Sequence, residues 1–521
     1  MQKKNVSRLD KSLKLLVKTS LMVFILIFLS RILGYVYRII IARQFGPEVY
    51  GLFSLALMVS GFFIAFSALG FSEGILRFVS LYRGKKQIAR IKYLFKFGVI
   101  IASITSILAG LLLFLLANFI SVNLFHNPAL SIYLKIFSIV IPISVLGGFF
   151  LIVLRAHEKI VWHSSIANLF QGLIKVASLG IFVLLGFNSN AVSLSYLAGV
   201  FGVLVISYCV CKYKIPHIFG ATPIKHDEKR IIRKELVSYS IPILFFSIIS
   251  TIFYWIDSFS LGYYKGAISV GWYNAAVPIA LLLGIIPELF MQLFFPLITK
   301  LYARKNLKLI EQLGKQVAKW ILLVNIPIFA IMIVFPGAII NLLFGSEYLV
   351  AENALRILSV GSLISSILII SNQLISMIGK SKLILMNIVI AATINLVLNS
   401  ILVPIQKIGF IENSSGLNGA AIATLISVVI FNLMFMAEAH RYLSIIPLKR
   451  KMINVIISAV ISTAFLVYAR TIFTSSGVIT LGALSLSFLL VYISLVWASG
   501  SFDRNDLFII KSIKNKIVGI K

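Results

Sequence analysis

Apolar residues along this chain come in long unbroken blocks separated by short polar stretches. About fourteen of these blocks reach the roughly 20 residues that a helix needs to cross a bilayer. They run 15–42, 49–70, 92–120, 129–154, 160–186, 190–211, 235–263, 268–297, 316–345, 353–378, 381–405, 416–439, 452–473 and 478–498. The blocks at 92–120 and 316–345 allow amphipathic extensions at their starts. The apolar residues are continuous rather than alternating, which excludes a β-barrel. The pattern predicts an all-α polytopic membrane protein.

The polar stretches alternate in charge. The N-terminal arm, Arg83–Lys96, Arg155–Lys159, Lys212–Lys234, Lys300–Lys315, Lys380–Lys382, Arg441–Lys451 and the C-terminal tail are basic. Between them lie Asn123–Ala129 and Gly186–Ala191, which hold no Lys or Arg, and Gly345–Glu352, which carries two acids. By the positive-inside rule the basic set faces the cytoplasm. The unbroken alternation supports an even number of spans with both termini inside, in the cell (cytoplasmic) membrane. The N-terminal block is longer than a signal peptide and has no small-residue cleavage site, so it reads as an uncleaved anchor.

An internal repeat runs through the pattern. Gly46, Gly51, Leu52, Phe53 and Ser54 recur as Gly266, Gly271, Trp272, Tyr273 and Asn274, each 220 residues later. Leu81-Tyr82 before a basic loop recurs as Leu301-Tyr302 at the same offset. An even number of spans separates the copies, so the repeat is parallel, about an axis along the membrane normal. The expected organisation is two pseudo-symmetric six-helix bundles, 1–213 and 235–440. A basic cytoplasmic linker, 214–234, joins them. A further helix pair with a cytoplasmic tail occupies 441–521. Two such bundles make an alternating-access layout.

Composition agrees with this. The chain has 521 residues, is 60% hydrophobic and 12% charged, and has a mean hydropathy of +1.03. A soluble protein cannot hide that much apolar surface. The formal net charge of +32 would suggest nucleic acid in a soluble chain. Here the cations sit in loops, where they set topology and meet anionic headgroups. The two cysteines, Cys209 and Cys211, are too close for an ordinary bridge and read as inert residues at a membrane edge.

Charge inside an apolar block is costly, and it normally faces a bundle interior or a wet cavity. Arg31, Tyr35 and Arg38, at i, i+4 and i+7, share one helix face. Guanidinium forks on such a face suit phosphate oxygens, or else snorkel or pair with acids. Glu73 and Arg77 follow the second block. Asn168, Gln171 and Lys175 are spaced to share a face of the fifth. Tyr254 and Asp257 lie in the seventh, where Asp257 either pairs with Arg38 or takes up a coupling ion. Glu288 follows Pro287 in the eighth, where a kink is expected. Asn387, Asn395, Asn399 and Asn432 read as hydrogen-bonding glue between helices. No Walker loop, HExxH, Gly-x-Ser-x-Gly elbow or metal-ligand spacing occurs, so no enzyme, metal or cofactor is expected. Asn413-Ser414-Ser415 is a glycosylation-type triplet, of a kind common by chance.

The run from Ala42 through Arg43-Gln44-Phe45-Gly46-Pro47-Glu48-Val49-Tyr50-Gly51-Leu52-Phe53-Ser54 to Ala56 resembles the polysaccharide-transporter family. These are O-antigen-type oligosaccharide-lipid flippases of the multidrug/oligosaccharidyl-lipid/polysaccharide exporter superfamily. Gly70-Phe71 to Arg77-Phe78, Tyr82-Arg83-Gly84-Lys85, and Trp255-Ile256-Asp257 before Leu261-Gly262-Tyr263 extend the resemblance. Ala68 stands where many relatives carry an acid. The resemblance implies a flippase for a polyprenyl-diphosphate-linked oligosaccharide, in contact with membrane lipids and glycan-assembly proteins. Buried positive charge in a chain with no energy-converting motif makes Arg31 and Arg38, together with Arg77 and Lys175, the expected holders of the diphosphate. Asp257, Glu288 and Glu73 would serve ion coupling or gating. Tyr35, Tyr254, Asn168 and Gln171 would line the cavity. A multidrug exporter or a peptidoglycan-precursor (lipid II-type) exporter of the same superfamily is the alternative.

Overall fold

The computed structural model describes residues 2–220, 224–472 and 478–501. Its helices are α1 (Gln2–Ser67), α2 (Phe71–Gly84), α3 (Ile88–Phe119), α4 (Leu130–Ala156), α5 (Ile160–Ser164), α6 (Gln171–Leu184), α7 (Asn190–Lys214), α8 (His226–Lys265) and α9 (Ala267–Ala280). They continue with α10 (Ile285–Ala303), α11 (Leu307–Val334), α12 (Pro336–Leu343), α13 (Glu352–Met377), α14 (Ser381–Leu402), α15 (Leu417–Leu443), α16 (Lys451–Ile472) and α17 (Val478–Ala498). A two-residue hairpin, β1 (Lys407–Ile408) and β2 (Ile411–Glu412), joins α14 to α15.

Among the described residues thirteen helices are long and apolar enough to cross a membrane. The first, Ile25–Ser67, holds two of the expected blocks, separated at Gly46, whose backbone is not helical (φ 78, ψ 178). The chain is an all-α, multi-pass membrane protein. The expected extensions are present: α3 begins at Ile88 and α11 at Leu307. The expected block 316–345 is split, because Pro336 has no amide hydrogen and starts a new helix.

The repeat is written in the backbone as well as in the letters. Gly46 (φ 78, ψ 178) matches Gly266 (φ 85, ψ −179). Lys86 and Lys305 both turn left-handed (φ 56 and 57), ahead of nearly identical caps at Gln87 (φ −90, ψ 68) and Asn306 (φ −93, ψ 68). Further on, Glu158 and Gly379 are left-handed ahead of Lys159 (φ −84, ψ 50) and Lys380 (φ −83, ψ 60).

The chain forms two compact units, Met1–Asn274 and Ala275–Lys521. In the first, Phe78, Leu94, Phe149, Leu154 and Leu236 meet in a core built from α2, α3, α4 and α8. Lipid tails are as apolar as leucine, so these helices are held by close packing rather than by expulsion from water. Gly98, Ala102, Ser106 and Gly110 repeat every four residues along the buried side of α3. A Cβ on Gly110 would lie 2.6 Å from the Ser138 carbonyl of α4. The opposite side of α3 leaves Ile107, Leu108, Leu111 and Leu115 exposed, which suits lipid.

In the second unit α10, α11, α13 and α15 share a core with the last pair, α16 and α17. The Tyr492 hydroxyl donates to the Leu323 carbonyl (3.1 Å), and Arg470 donates to the Val334 carbonyl (2.5 Å). Lys319, in the ninth expected block, is fully buried and donates to the Ser501 carbonyl (3.2 Å). The asparagines act as glue here: Asn387 donates to Glu438 (3.0 Å) and Asn395 to Thr424 (3.4 Å). Asn413 is 1% exposed, and its amide donates to the carbonyls of Leu402 and Ile405. Its side chain closes the turn into α15 and is not presented to a glycosyltransferase.

Candidate functional site

The site is built on the first half of α1. Tyr37 sets the rotation of that helix: its buried hydroxyl donates to the Val192 carbonyl (3.0 Å) and lies 2.9 Å from Ser195 Oγ, both on α7. With that angle set, Arg31, Tyr35 and Arg38 lie half-buried on one stripe. Arg38 hydrogen-bonds the Tyr50 hydroxyl. Twelve residues of straight helix would separate these two by about 18 Å. They meet because the chain turns at Gly46. Tyr50 in turn donates to the Asn274 carbonyl (3.0 Å), and the Asn274 amide donates to Ser258 Oγ (3.0 Å). Arg38 is thus tied through one buried hydroxyl to α9 and α8.

Lys175, on α6, lies within electrostatic reach of Arg38. Its ammonium sits 4.2 Å from the centre of the Tyr196 ring on α7, a cation–π contact. Its stem crosses Gly199, where a Cβ would lie 2.4 Å from Lys175 Cγ. Gly199 therefore makes room for the lysine. Gly199→Val is expected to push the stem off Tyr196 while leaving the protein folded. Transport should fall at least about tenfold, equal to about 1.4 kcal/mol. Thermal melting should stay close to wild type. A variant that transports normally would remove Lys175 from the site.

Among the described residues Arg38 and Lys175 are met by hydroxyls and ring faces rather than by carboxylates. Tyr35 and Tyr254 lie close to Arg38, and Arg31 lies close to Tyr35. Tyr254 is 56% exposed, so this group opens onto space that the protein does not fill. Two nearby cations make a site with net attraction for an anion.

Asp257 accepts a hydrogen bond from the Tyr273 hydroxyl (2.6 Å). Arg77 is exposed on α2, and its guanidinium stacks 4.3 Å from the Tyr239 ring centre. Glu73 and Glu288 occupy the first turns of α2 and α10, where a carboxylate offsets the positive end of the helix dipole. A 3₁₀ turn, Leu281–Gly284, precedes Glu288 and supplies the break expected there. Asn168 lies in a π-helical stretch, Ser165–Phe170, just before Gln171. Wide turns of this kind disturb the 3.6-residue period on which the shared face with Lys175 was drawn.

Four participants escaped the sequence reading: Tyr37, Tyr50, Tyr196 and Gly199. Tyr50 sat inside a turn motif and Tyr196 in an ordinary apolar block. Only the folded chain brings them to the cations. In the second unit an apolar groove of about 770 Å³ lies between α11, α13 and α16. Ile326, Phe329, Ile367, Val460 and Val467 line it, and hardly any polar surface faces it.

A profile of the polysaccharide biosynthesis protein family matches residues 16–302, and the MatE profile matches 242–401. The chain therefore belongs to the polysaccharide biosynthesis protein family. It is 24% identical over 398 residues to a candidate O-antigen transporter of Shigella flexneri, covering 75% of this chain and 89% of that one. It is 24% identical over 476 residues to the lipid II flippase MurJ of Bacillus subtilis, covering 84% and 85%. The solved structure of a lipid II flippase MurJ in an inward closed conformation superposes with a TM-score of 0.71 at 18% identity. That match covers 94% of this chain and 100% of that one. An inward-facing multidrug resistance MATE transporter gives 0.66 at 15% identity, covering 80% and 94%. The family match and these relatives agree on one class, a multi-pass membrane transporter, and the solved structures share its helical fold.

Proposed function

We propose that the chain flips a polyprenyl-diphosphate-linked oligosaccharide, a precursor of a surface polysaccharide or glycan, from the cytoplasmic to the outer leaflet by alternating access. The observation that carries this is the Arg38–Lys175 pair, half-buried in apolar helices and met, among the described residues, by hydroxyls and ring faces. Such a pair is costly unless an anion visits it. A lipid-linked diphosphate supplies that anion and must cross the apolar slab. Arg31, beside Tyr35, extends the same stripe, and Tyr254 and Tyr35 offer hydroxyls to the sugar. Arg77 meets the headgroup nearer the helix ends. Asn168 and Gln171 line the path. The apolar groove suits a hydrocarbon tail. Residues 1–213 and 235–440 act as the two moving lobes, both termini lie in the cytoplasm of the cell membrane, and glycan-assembly proteins deliver the substrate.

Asp257 is the residue proposed to couple ion entry to transport, with Glu73 and Glu288 as gates. Asp257→Asn keeps the contact with Tyr273 and removes the charge. It is expected to leave substrate binding intact while abolishing the dependence of flipping on an imposed proton or sodium gradient. Gradient-driven flipping at the wild-type rate would end Asp257's part in coupling.

The likeness to MurJ over most of both chains favours a lipid II-type substrate as the second reading. Purified protein in vesicles, offered either a short polyprenyl-diphosphate oligosaccharide or lipid II, separates the two. Faster translocation of the oligosaccharide supports the first reading. Translocation of neither, with uptake of cationic drugs instead, would point to a multidrug exporter.

A further inference from the structure

A second basic pocket lies apart from Arg38, in the first unit, where α2, α4 and α7 end and α3 begins. Its volume is about 470 Å³. Arg83, Lys86, Lys159, Lys214, His157 and His217 line it over a floor of Ile88, Ile91 and Ile215. His157 is 8% exposed. Its Nδ1 lies 2.9 Å from the Val153 carbonyl. A carbonyl only accepts, so Nδ1 carries the hydrogen and donates. In the neutral ring Nε2 is then a bare acceptor. That atom is buried and has no hydrogen-bond partner among the described residues. The ring of His217 lies 5.5 Å away, centre to centre.

An orphaned, buried acceptor in a lysine-lined pocket is costly unless something completes it. A metal would need further ligands, and among the described residues no cluster of three His, Cys, Asp or Glu exists. We propose that this pocket is a proton-linked site for a phosphate group, carried on an acidic lipid headgroup or free in solution. Once protonated, Nε2 becomes a donor on a residue that lines the pocket, and the lysines supply further charge-assisted bonds. The isoleucine floor favours the lipid source, since free phosphate has no use for apolar surface.

The groups facing the two imidazoles are Arg83 and Lys86 at the end of α2, Lys92 on α3, Glu158 and Lys159 after α4, and Lys214 on α7. Glu158 is taken up by Arg83 at 2.7 Å. Arg83 also donates to the Ala156 carbonyl (2.8 Å). Burial first, and then His217, Arg83 and Lys159, hold His157 below the ordinary histidine range. These surroundings favour the neutral ring at pH 7. A bound anion raises that pKa, so binding takes up a proton and tightens as pH falls. The limit for one proton is tenfold per pH unit.

The test uses the purified full chain in detergent or nanodiscs at pH 6 and pH 8. The probes are inorganic phosphate and bilayers of phosphatidylglycerol against phosphatidylcholine, read by thermal melting and by retained lipid in native mass spectrometry. Stabilisation by phosphate alone identifies a free anion, and stabilisation or retention by phosphatidylglycerol alone identifies a headgroup. Either should be stronger at pH 6. His157→Gln should flatten the pH dependence. Lys86→Gln with Lys159→Gln, both exposed, should weaken binding at least tenfold without loss of fold, which keeps the test open if the histidine variant fails to fold. No response to either probe, or a pH dependence unchanged by His157→Gln, overturns the proposal.

Discussion

Arg38→Gln is expected to lower translocation of a lipid-linked diphosphate by about thirtyfold to several thousandfold, the equivalent of the 2–5 kcal/mol lost when one partner of a buried charge pair is truncated. The same substitution should not lower the melting temperature. The guanidinium is half-buried within electrostatic reach of Lys175, its charge met by the Tyr50 hydroxyl and by aromatic neighbours. Removing it relieves a desolvation cost and a like-charge contact. Glutamine can still donate to Tyr50. A residue kept only for structure would behave in the opposite way, with stability falling and activity following it. Arg38→Lys keeps the charge but loses the planar fork, so intermediate transport is expected. Flipping in vesicles, measured beside thermal melting, decides the matter. Wild-type flipping by Arg38→Gln, or loss of fold without selective loss of transport, would end the phosphate-clamp reading.

Gly51→Ala should unfold the first unit. A Cβ at Gly51 would lie 1.8 Å from the Ala267 carbonyl oxygen, and one at Gly271 would lie 2.0 Å from the Pro47 carbonyl oxygen. Each glycine faces the backbone at the start of the other copy of the repeat, so the clash is reciprocal. Overpacking usually costs about 1–3 kcal/mol because side chains shift aside. Here the obstacle is main chain, and the loss should exceed that range. Gly271→Ala should match Gly51→Ala, and the double variant should be far from additive, since both act on one crossing. Gly34→Ala is the control. Nothing lies within 4 Å of a Cβ there, and the substitution should gain about 0.5–1 kcal/mol as an ordinary helical glycine replacement. Folded yield and melting temperature read all four variants. A Gly51→Ala protein that melts like wild type would mean that the two helices do not cross backbone to backbone.

Hydropathy alone determined the class of this protein and its number of apolar blocks, because a bilayer imposes length and polarity on each helix separately; the repeat came from matching residues 220 positions apart. Local chemistry also marked the turns: Gly46 and Gly266 carry the positive φ that glycine admits without strain. Arg38 and Lys175 were visible as misplaced charge in apolar blocks. Their meeting was not, since it depends on the rotation of α1 set by Tyr37 and on the space left by Gly199. The aromatic shell was equally hidden, because Tyr50 and Tyr196 are unremarkable in an apolar context until a cation lies across them. Arg77 stacks on a ring face, and Glu73 and Glu288 lie in the first turns of their helices, surroundings that the letters alone do not give. Periodicity within one helix reports what that helix shows to its surroundings. Which groups meet across helices is decided by close packing at glycine, in three dimensions.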